Sequence, residues 1–319
     1  MRTSVHDTYR HEAWFYRGLR GFLDAVVPFV RAGLAAGQPV MIAVAGDRLR
    51  ALNTALGADA DRVRLTDMAE LGRNPARIIP AWLEFVAEGS AHRTPVRGVG
   101  EPIWAGRSAA ELEECQLHEA LLNTAVSPEV PLWLICPYDL NVLKPWVIDE
   151  ARRSHPELVE SNSRQRSITY GAGHAEDLFR HPLAAPVGFS RSVAFTVEDA
   201  WLVKPWVVGV ARRAGIDEYR AEQVGDAVSH IAADANHHAL QGVLRAWLDG
   251  PTLMIDVTDS GVVADPMVGR TVRPTDGPTG RHGTWIANRI CELLQIRSSP
   301  DGTTVRVHAS IGRPVIAGI

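Results

Sequence analysis

Two hydrophobic periods alternate along the first half of the chain. The apolar and β-branched runs GQPVMIAVAG (37–46), RVRLT (62–66), PVRGVG (95–100), PLWLIC (131–136) and SITY (167–170) predict strands. Between them apolar positions recur three and four apart, predicting helices near 18–36, 46–57, 75–89, 108–125 and 140–153. Strands that are apolar over most of their length belong to a parallel sheet covered on both faces. The fold class expected over residues 8–170 is therefore a doubly wound α/β domain with a parallel sheet.

The pattern then changes. Residues 171–192, which begin GAGHAEDLFRHPLAAPVGFSR, are rich in Gly, Pro and His, hold no sustained period, and read as a linker. Residues 193–311 read as an α+β domain. Helices are expected over 197–214 and 217–239, parted at Gly215, followed by the strands VLRAWLDG (243–250) and TLMIDVTDSG (252–261) around a Gly-Pro turn. A Gly-rich loop (269–283), a helix (284–295) and the hairpin IRSSPDGTTVRVHAS (296–310) complete it. No internal repeat or low-complexity tract is evident.

Composition narrows the function classes. The 319 residues are 46% apolar and 22% charged, which is ordinary for folded protein. A net charge of -4 argues against direct nucleic-acid binding and against an anionic membrane surface. The first residues lack a basic-then-apolar leader and no run reaches a bilayer's width, so a cytoplasmic location is expected. Three cysteines, Cys115, Cys136 and Cys291, match neither a zinc-ribbon nor a disulfide spacing.

In the first half the text after the first strand, AVAGDRLRAL (43–52), lacks the Lys-Ser or Lys-Thr of a phosphate-binding loop. Polar residues gather instead at the carboxyl ends of the expected strands, where ligands sit in such sheets: Asp67, Glu101, and Tyr138 with Asp139 after Cys136. The helix over 109–123 adds Cys115, His118 and Glu119 on one face beside Leu112 and Leu122. A polar network at the domain rim is the plain alternative reading. The segments HEAWFY (11–16, with His11 and Glu12), GLAAGQPVMIAV (33–44), DMAELGRNPARIIPAW (67–82), GVGEPIWAGRS (98–108), ECQLHEALLN (114–123) and LICPYD (134–139) resemble the MEDS sensory domain of methanogen and methylotroph regulators. That resemblance implies that an unidentified small ligand is sensed on an α/β scaffold. A metal or haem site built from His11, Cys115, His118 and Cys136 is a further expectation, because these are soft and borderline ligands.

The second half carries Asp259-Ser-Gly261 at the end of an apolar strand, Gly280-Arg-His-Gly283 before a helix, and GTTVRVH (302–308) with Thr303. In this order they resemble the GHKL, or histidine-kinase-like, ATPase domain in its anti-sigma-factor kinase branch. The resemblance implies that Asp259 and Gly261 receive adenine and that Gly280, Gly283 and Thr303 lie around the phosphates. Where that family carries Glu-x-x-x-Asn, this chain has His230 and Asp234, four apart on one helix face. His230 would replace the general base, and Asp234 would hold Mg²⁺ if ATP binds. A stripe of His230, Asp234 and His238 could alternatively bind a transition metal, although its ends stand about 12 Å apart. Val262-Val263 stands where a further glycine is usual.

Together the halves resemble an actinobacterial family of anti-sigma regulatory proteins. The expected function is a signalling regulator whose sensory half controls an ATP·Mg²⁺-dependent Ser/Thr-kinase-like half, with a sigma factor or an anti-anti-sigma protein as partner. The alternative is a pseudokinase adaptor that binds those partners without ATP turnover. A third class is an α/β enzyme using Glu101, His118 and Cys136. A homodimer is compatible with either signalling reading. Trp201 and Trp206, bracketing a proline, are expected either to form a contact face between the halves or to pack on their own sheet.

Overall fold

A computed structural model of the chain describes residues 8–90, 94–161, 163–196, 198–236, 241–271 and 282–312. The chain divides into two compact units, Met1–Ala175 and Glu176–Ile319.

The first unit runs β1 (Arg10–Tyr16), α1 (Gly18–Ala35), β2 (Val40–Val44), α2 (Gly46–Leu56), β3 (Arg64–Asp67), α3 (Met68–Leu71), α4 (Ile78–Ser90), β4 (Val96–Gly100), α5 (Ala109–Ala125), β5 (Leu132–Asp139), α6 (Pro145–Ser154), β6 (Glu157–Glu160) and β7 (Ser163–Arg166). Its sheet has the order β3-β2-β4-β5-β1-β6-β7. All pairings are parallel except β6 with β7. On one face Phe22, Val26, Phe29, Val30 and Leu34 of α1, with Leu52 and Leu56 of α2, pack against Tyr16, Val40, Ile42, Val44, Val99 and Ile135. On the other face Trp82 of α4 lies over Gly98 and Gly100, beside Leu134. Helix α5 starts at a reciprocal cap: Ser108 Oγ accepts from the Glu111 amide, and Glu111 Oε2 accepts from the Ser108 amide. Nine successive residues of this helix, Glu114 to Leu122, are buried.

Helix α7 (His174–Arg180) leads into the second unit, which continues with β8 (Arg191–Thr196), α8 (Val203–Arg213), α9 (Glu218–Asn236), β9 (Gln241–Asp249), β10 (Thr252–Asp259), α10 (His282–Ile290), β11 (Leu293–Ser299) and β12 (Gly302–Ser310). The five-stranded sheet, β11-β12-β10-β9-β8, is antiparallel throughout. Buried apolar residues of α8 and α9, among them Val207, Ala211, Val224, Val228 and Ile231, form the core with Leu244, Ile255 and Val307. Asp256 and Arg306, directly opposite on β10 and β12, form a buried two-pronged ion pair at 2.7 and 2.9 Å. The expected hairpin over 243–261 is present, with Gly250 at φ +55° in its turn.

Several elements differ from the expected ones; the helices expected over 140–153 and 197–214 begin only at Pro145 and Val203. Residues 10–16 form a strand in the interior of the first sheet, although Arg10, His11 and Glu12 hide any apolar run. Residues 167–170 form no strand; the sheet edge is the β6–β7 hairpin instead. The stretch expected to be a linker contains α7 and the first residues of β8, which pairs with β9. The helix expected over 284–295 stops at Ile290, and β11 starts three residues later. Trp201 is 72% exposed in a short turn before α8, so it does not pack into the second unit's core.

A Cβ at Gly98 would stand 2.7 Å from both Leu134 and the Trp82 ring. Gly98→Ala should therefore cost about 1–3 kcal/mol through overpacking, read as a lowered urea midpoint. A loss below about 0.5 kcal/mol would show that Trp82 is not seated on this strand.

Candidate functional site

Three polar constellations stand out, two in the first unit and one in the second. The first lies at the carboxyl ends of β1, β2, β4 and β5. The Tyr16 hydroxyl donates to Glu101 Oε1 at 2.8 Å. Arg48, in the first turn of α2, lies 3.2 Å from Glu101 Oε1 and donates to Asp139 Oδ2 at 3.1 Å. Asp139 Oδ1 accepts from the amides of Gly18 and Asn141 at 3.1 and 3.0 Å. Tyr16, Glu101 and Asp139 are buried while Arg48 is part-exposed, so the arginine closes the knot from the solvent side. Among the described residues no donor reaches Glu101 Oε2. Burial pushes the Glu101 carboxyl up to about 7, against the pull of Arg48 and the Tyr16 hydroxyl. A cleft of about 310 Å³ beside Tyr16 is lined by Trp14, Asp24, Leu140 and Glu160.

The second constellation is buried between the sheet and α5. His11 of β1, Glu119 of α5, Cys136 of β5 and His155, just before β6, bring one side-chain atom each to within 4.8 Å of one another. Glu119 Oε2 is 3.0 Å from His11 Nε2, 3.3 Å from His155 Nε2 and 3.4 Å from Cys136 Sγ. Cys136 Sγ is 3.4 Å from His11 Nε2, and the two imidazole rings are centred 4.1 Å apart. Burial lowers His11, helped by His155. Burial raises the Cys136 thiol, and Glu119 adds to the effect.

The structure corrects the metal or haem set expected from sequence. His11 and Cys136 meet, but with Glu119 and His155. The Cys115 thiol donates to the Pro102 carbonyl, and burial pushes it up to about 12. His118 is buried outside the group. Tyr138 lies edge-on to His155. Glu12 is spent on Arg10, Trp14 Nε1 and Arg164 at 2.6, 2.8 and 3.0 Å. Asp67 caps α3 through the Ala69 amide. Glu101 and Cys136 fall in separate constellations, so the enzyme set Glu101, His118 and Cys136 is not assembled. Tyr16, Arg48 and His155 are the residues that sequence reasoning missed.

The third constellation lies between α9, β10, β12 and α10. Asp234, Asp259, Gly261, Thr284 and Thr303, with Ile231, Val262, Val263 and Val268, line a cavity of about 30 Å³. That is room for a water or two, against about 300–1,000 Å³ for a ligand pocket. Asp259 Oδ1 accepts from the Gly261 amide at 2.6 Å, and Thr303 Oγ1 donates to the Gly261 carbonyl at 2.7 Å. Asp234 Oδ1 accepts from the Gly283 amide at 3.1 Å; its Oδ2 accepts from the Thr284 amide at 2.7 Å and hydroxyl at 2.8 Å. Gly283 packs so closely on α9 that a Cβ there would come 2.0 Å from the His230 carbonyl. The His230 side chain is exposed and lines no part of the cavity. Gly280 and His238 lie outside the described residues.

Residues 10–156 match the family model described as MEDS: MEthanogen/methylotroph, DcmR Sensory domain. No curated protein matches the chain. Among solved structures, the crystal structure of the RsbU and RsbW domains of Rv1364c from Mycobacterium tuberculosis is similar at 18% identity with a TM-score of 0.30. The likeness covers 39% of this chain and 34% of that one, so this chain spans about a third of that structure's length. No helix among the described residues is long and apolar enough to cross a membrane.

The raised Glu101 gives a pH signature. Its folded value lies above its unfolded one, so its stabilising contribution is complete below about pH 4.5 and is lost as pH rises through about 7. The loss should amount to about 3 kcal/mol at most, read from urea midpoints between about pH 5 and 8. Glu101→Gln, which can still accept from Tyr16, should flatten that interval. An equally steep profile in Glu101→Gln would assign the dependence to another group.

Proposed function

With a MEDS domain at residues 10–156, we propose that the chain is a signalling regulator whose first unit senses a small ligand and whose second unit binds protein partners without transferring phosphate. The second unit is, in this reading, a histidine-kinase-like domain that has kept its layout and lost its nucleotide pocket. A sigma factor or an anti-anti-sigma protein is the partner class that the sequence resemblance implies.

One observation carries the reading: Asp234 occupies the N-terminus of α10. A helix N-terminus offers unpaired amides and a positive dipole end, and this is what a nucleotide phosphate uses. Here the Gly283 and Thr284 amides are already taken by the Asp234 carboxylate. A triphosphate would have to displace three hydrogen bonds and approach a fixed negative charge. Val262 and Val263 also line the space that a base would need. In this reading ATP and Mg²⁺ are not working cofactors of this unit. His230, turned to solvent, is placed for no general-base role on a nucleotide in the cavity.

Calorimetry of the full chain with ATP·Mg²⁺ tests this. The native protein should give no saturable heat up to about millimolar ATP, an affinity weaker than about −4 kcal/mol. Asp234→Asn, which frees an amide and removes the charge, should bind at least about tenfold more tightly, or 1.4 kcal/mol. Micromolar binding by the native chain, weakened in Asp234→Asn, would overturn the reading and make Asp234 a magnesium ligand.

A further inference from the structure

We propose that His11, Glu119, Cys136 and His155 bind one borderline divalent transition ion, with Zn²⁺ the best match. The proposal stands on the first unit alone and is independent of the nucleotide question.

The tautomers come first. Asn123 Nδ2 lies 2.7 Å from the Ser154 carbonyl and 3.3 Å from that of Ala120, so its amide nitrogen faces acceptors and its Oδ1 faces His11. An amide oxygen only accepts, so His11 Nδ1, 3.1 Å away, carries a proton. His155 Nδ1 lies 2.8 Å from the Ala151 carbonyl, which also only accepts, so it carries a proton too. Both rings are thus held by a donated Nδ1–H with Nε2 aimed into the cluster. This is the arrangement that outer partners impose on metal-bound histidines.

Inside the cluster the acceptors outnumber the donors. With their protons on Nδ1 the two rings present two Nε2 lone pairs to a carboxylate oxygen, and among the described residues the Cys136 thiol and the Tyr138 hydroxyl are the protons that reach Glu119. Among the described residues His155 Nε2, 3.3 Å from Glu119 Oε2, makes no hydrogen bond, and neither does Glu119 Oε1. Protonating both rings would place two cations with ring centres 4.1 Å apart in a dry interior. A divalent ion resolves the mismatch. It takes both nitrogen lone pairs, the carboxylate and a thiolate whose proton leaves to solvent on binding. Two positive charges against two negative ones leave the buried site neutral.

The geometry is close to that of an ion site. Tetrahedral zinc with ordinary bond lengths separates its ligand atoms by about 3.3–3.6 Å. Glu119 Oε2 lies at 3.0, 3.3 and 3.4 Å from the other three donors, Cys136 Sγ at 3.4 Å from His11 Nε2, and all four atoms lie within 4.8 Å of one another, so an ion would draw the side chains into place by small rotations. Nitrogen and sulfur donors disfavour Mg²⁺ and Ca²⁺. Four protein ligands with no open position describe a structural or sensing site rather than a hydrolytic one.

The test uses the full chain, stripped with a chelator and confirmed folded by near-ultraviolet circular dichroism. It should take up one equivalent of Zn²⁺ or Co²⁺, with a rise in melting temperature. The Co²⁺ form should show a thiolate-to-metal charge-transfer band that is lost in Cys136→Ser and kept in Cys115→Ser. Asn123→Leu, which frees the His11 ring, should weaken binding by about 10–100-fold. X-ray absorption of the native zinc form should show one sulfur and three nitrogen or oxygen neighbours, so the assignment survives even if a variant does not fold. Uptake below about a tenth of an equivalent by the folded native chain in excess zinc would overturn it. So would a zinc shell without sulfur.

Discussion

An ionised carboxylate cannot be buried among apolar side chains unless donors or cations meet it, because its lost hydration costs several kcal/mol. Glu119 imposes that constraint on the first unit. It sits on the fully buried stretch of α5, and its partners come from three other places in the chain: His11 on β1, Cys136 on β5 and His155 at the mouth of β6. These are the three adjacent strands β5, β1 and β6. A strand order that inserts the first strand between the fifth and the sixth is what makes a four-residue cluster from positions so distant in sequence.

The same physics arranges the second unit with different groups. Asp256 is answered across the ladder by Arg306, whose planar guanidinium meets both carboxylate oxygens. Asp234 is answered by two backbone amides and a hydroxyl at a helix start. In the first case a side-chain cation neutralises the acid; in the second the dipole of α10 does so. The second solution occupies the Gly283 and Thr284 amides at the start of α10 with a side chain of the same unit.

Much of this was legible in the sequence. The apolar spacing near 108–125 predicted a helix where α5, Ala109–Ala125, lies, and the alternation of apolar runs with helical stretches predicted the parallel sheet. The hairpin around Gly250 followed from its turn residues. Strand β1 was not legible, since an interior strand with polar side chains buried on both faces shows neither alternation nor an apolar run. His155 was lost for a related reason: it stands alone between two elements, with no spacing to connect it to Glu119. Arg48 belonged to a stretch weighed only as a phosphate loop. Asp234 was recognised, but its partner Thr284 lies fifty residues away, so the direction in which its carboxylate is used had to come from the structure.

The contact between α9 and α10 carries a wider lesson. Gly283 has room for no side chain because the His230 carbonyl lies directly against it. The demand for glycine there arises from two helices touching, and it would be the same in a chain that never met a nucleotide. The glycine at 283 is accordingly a record of how closely the two backbones approach, and any larger residue there would push the two helices apart.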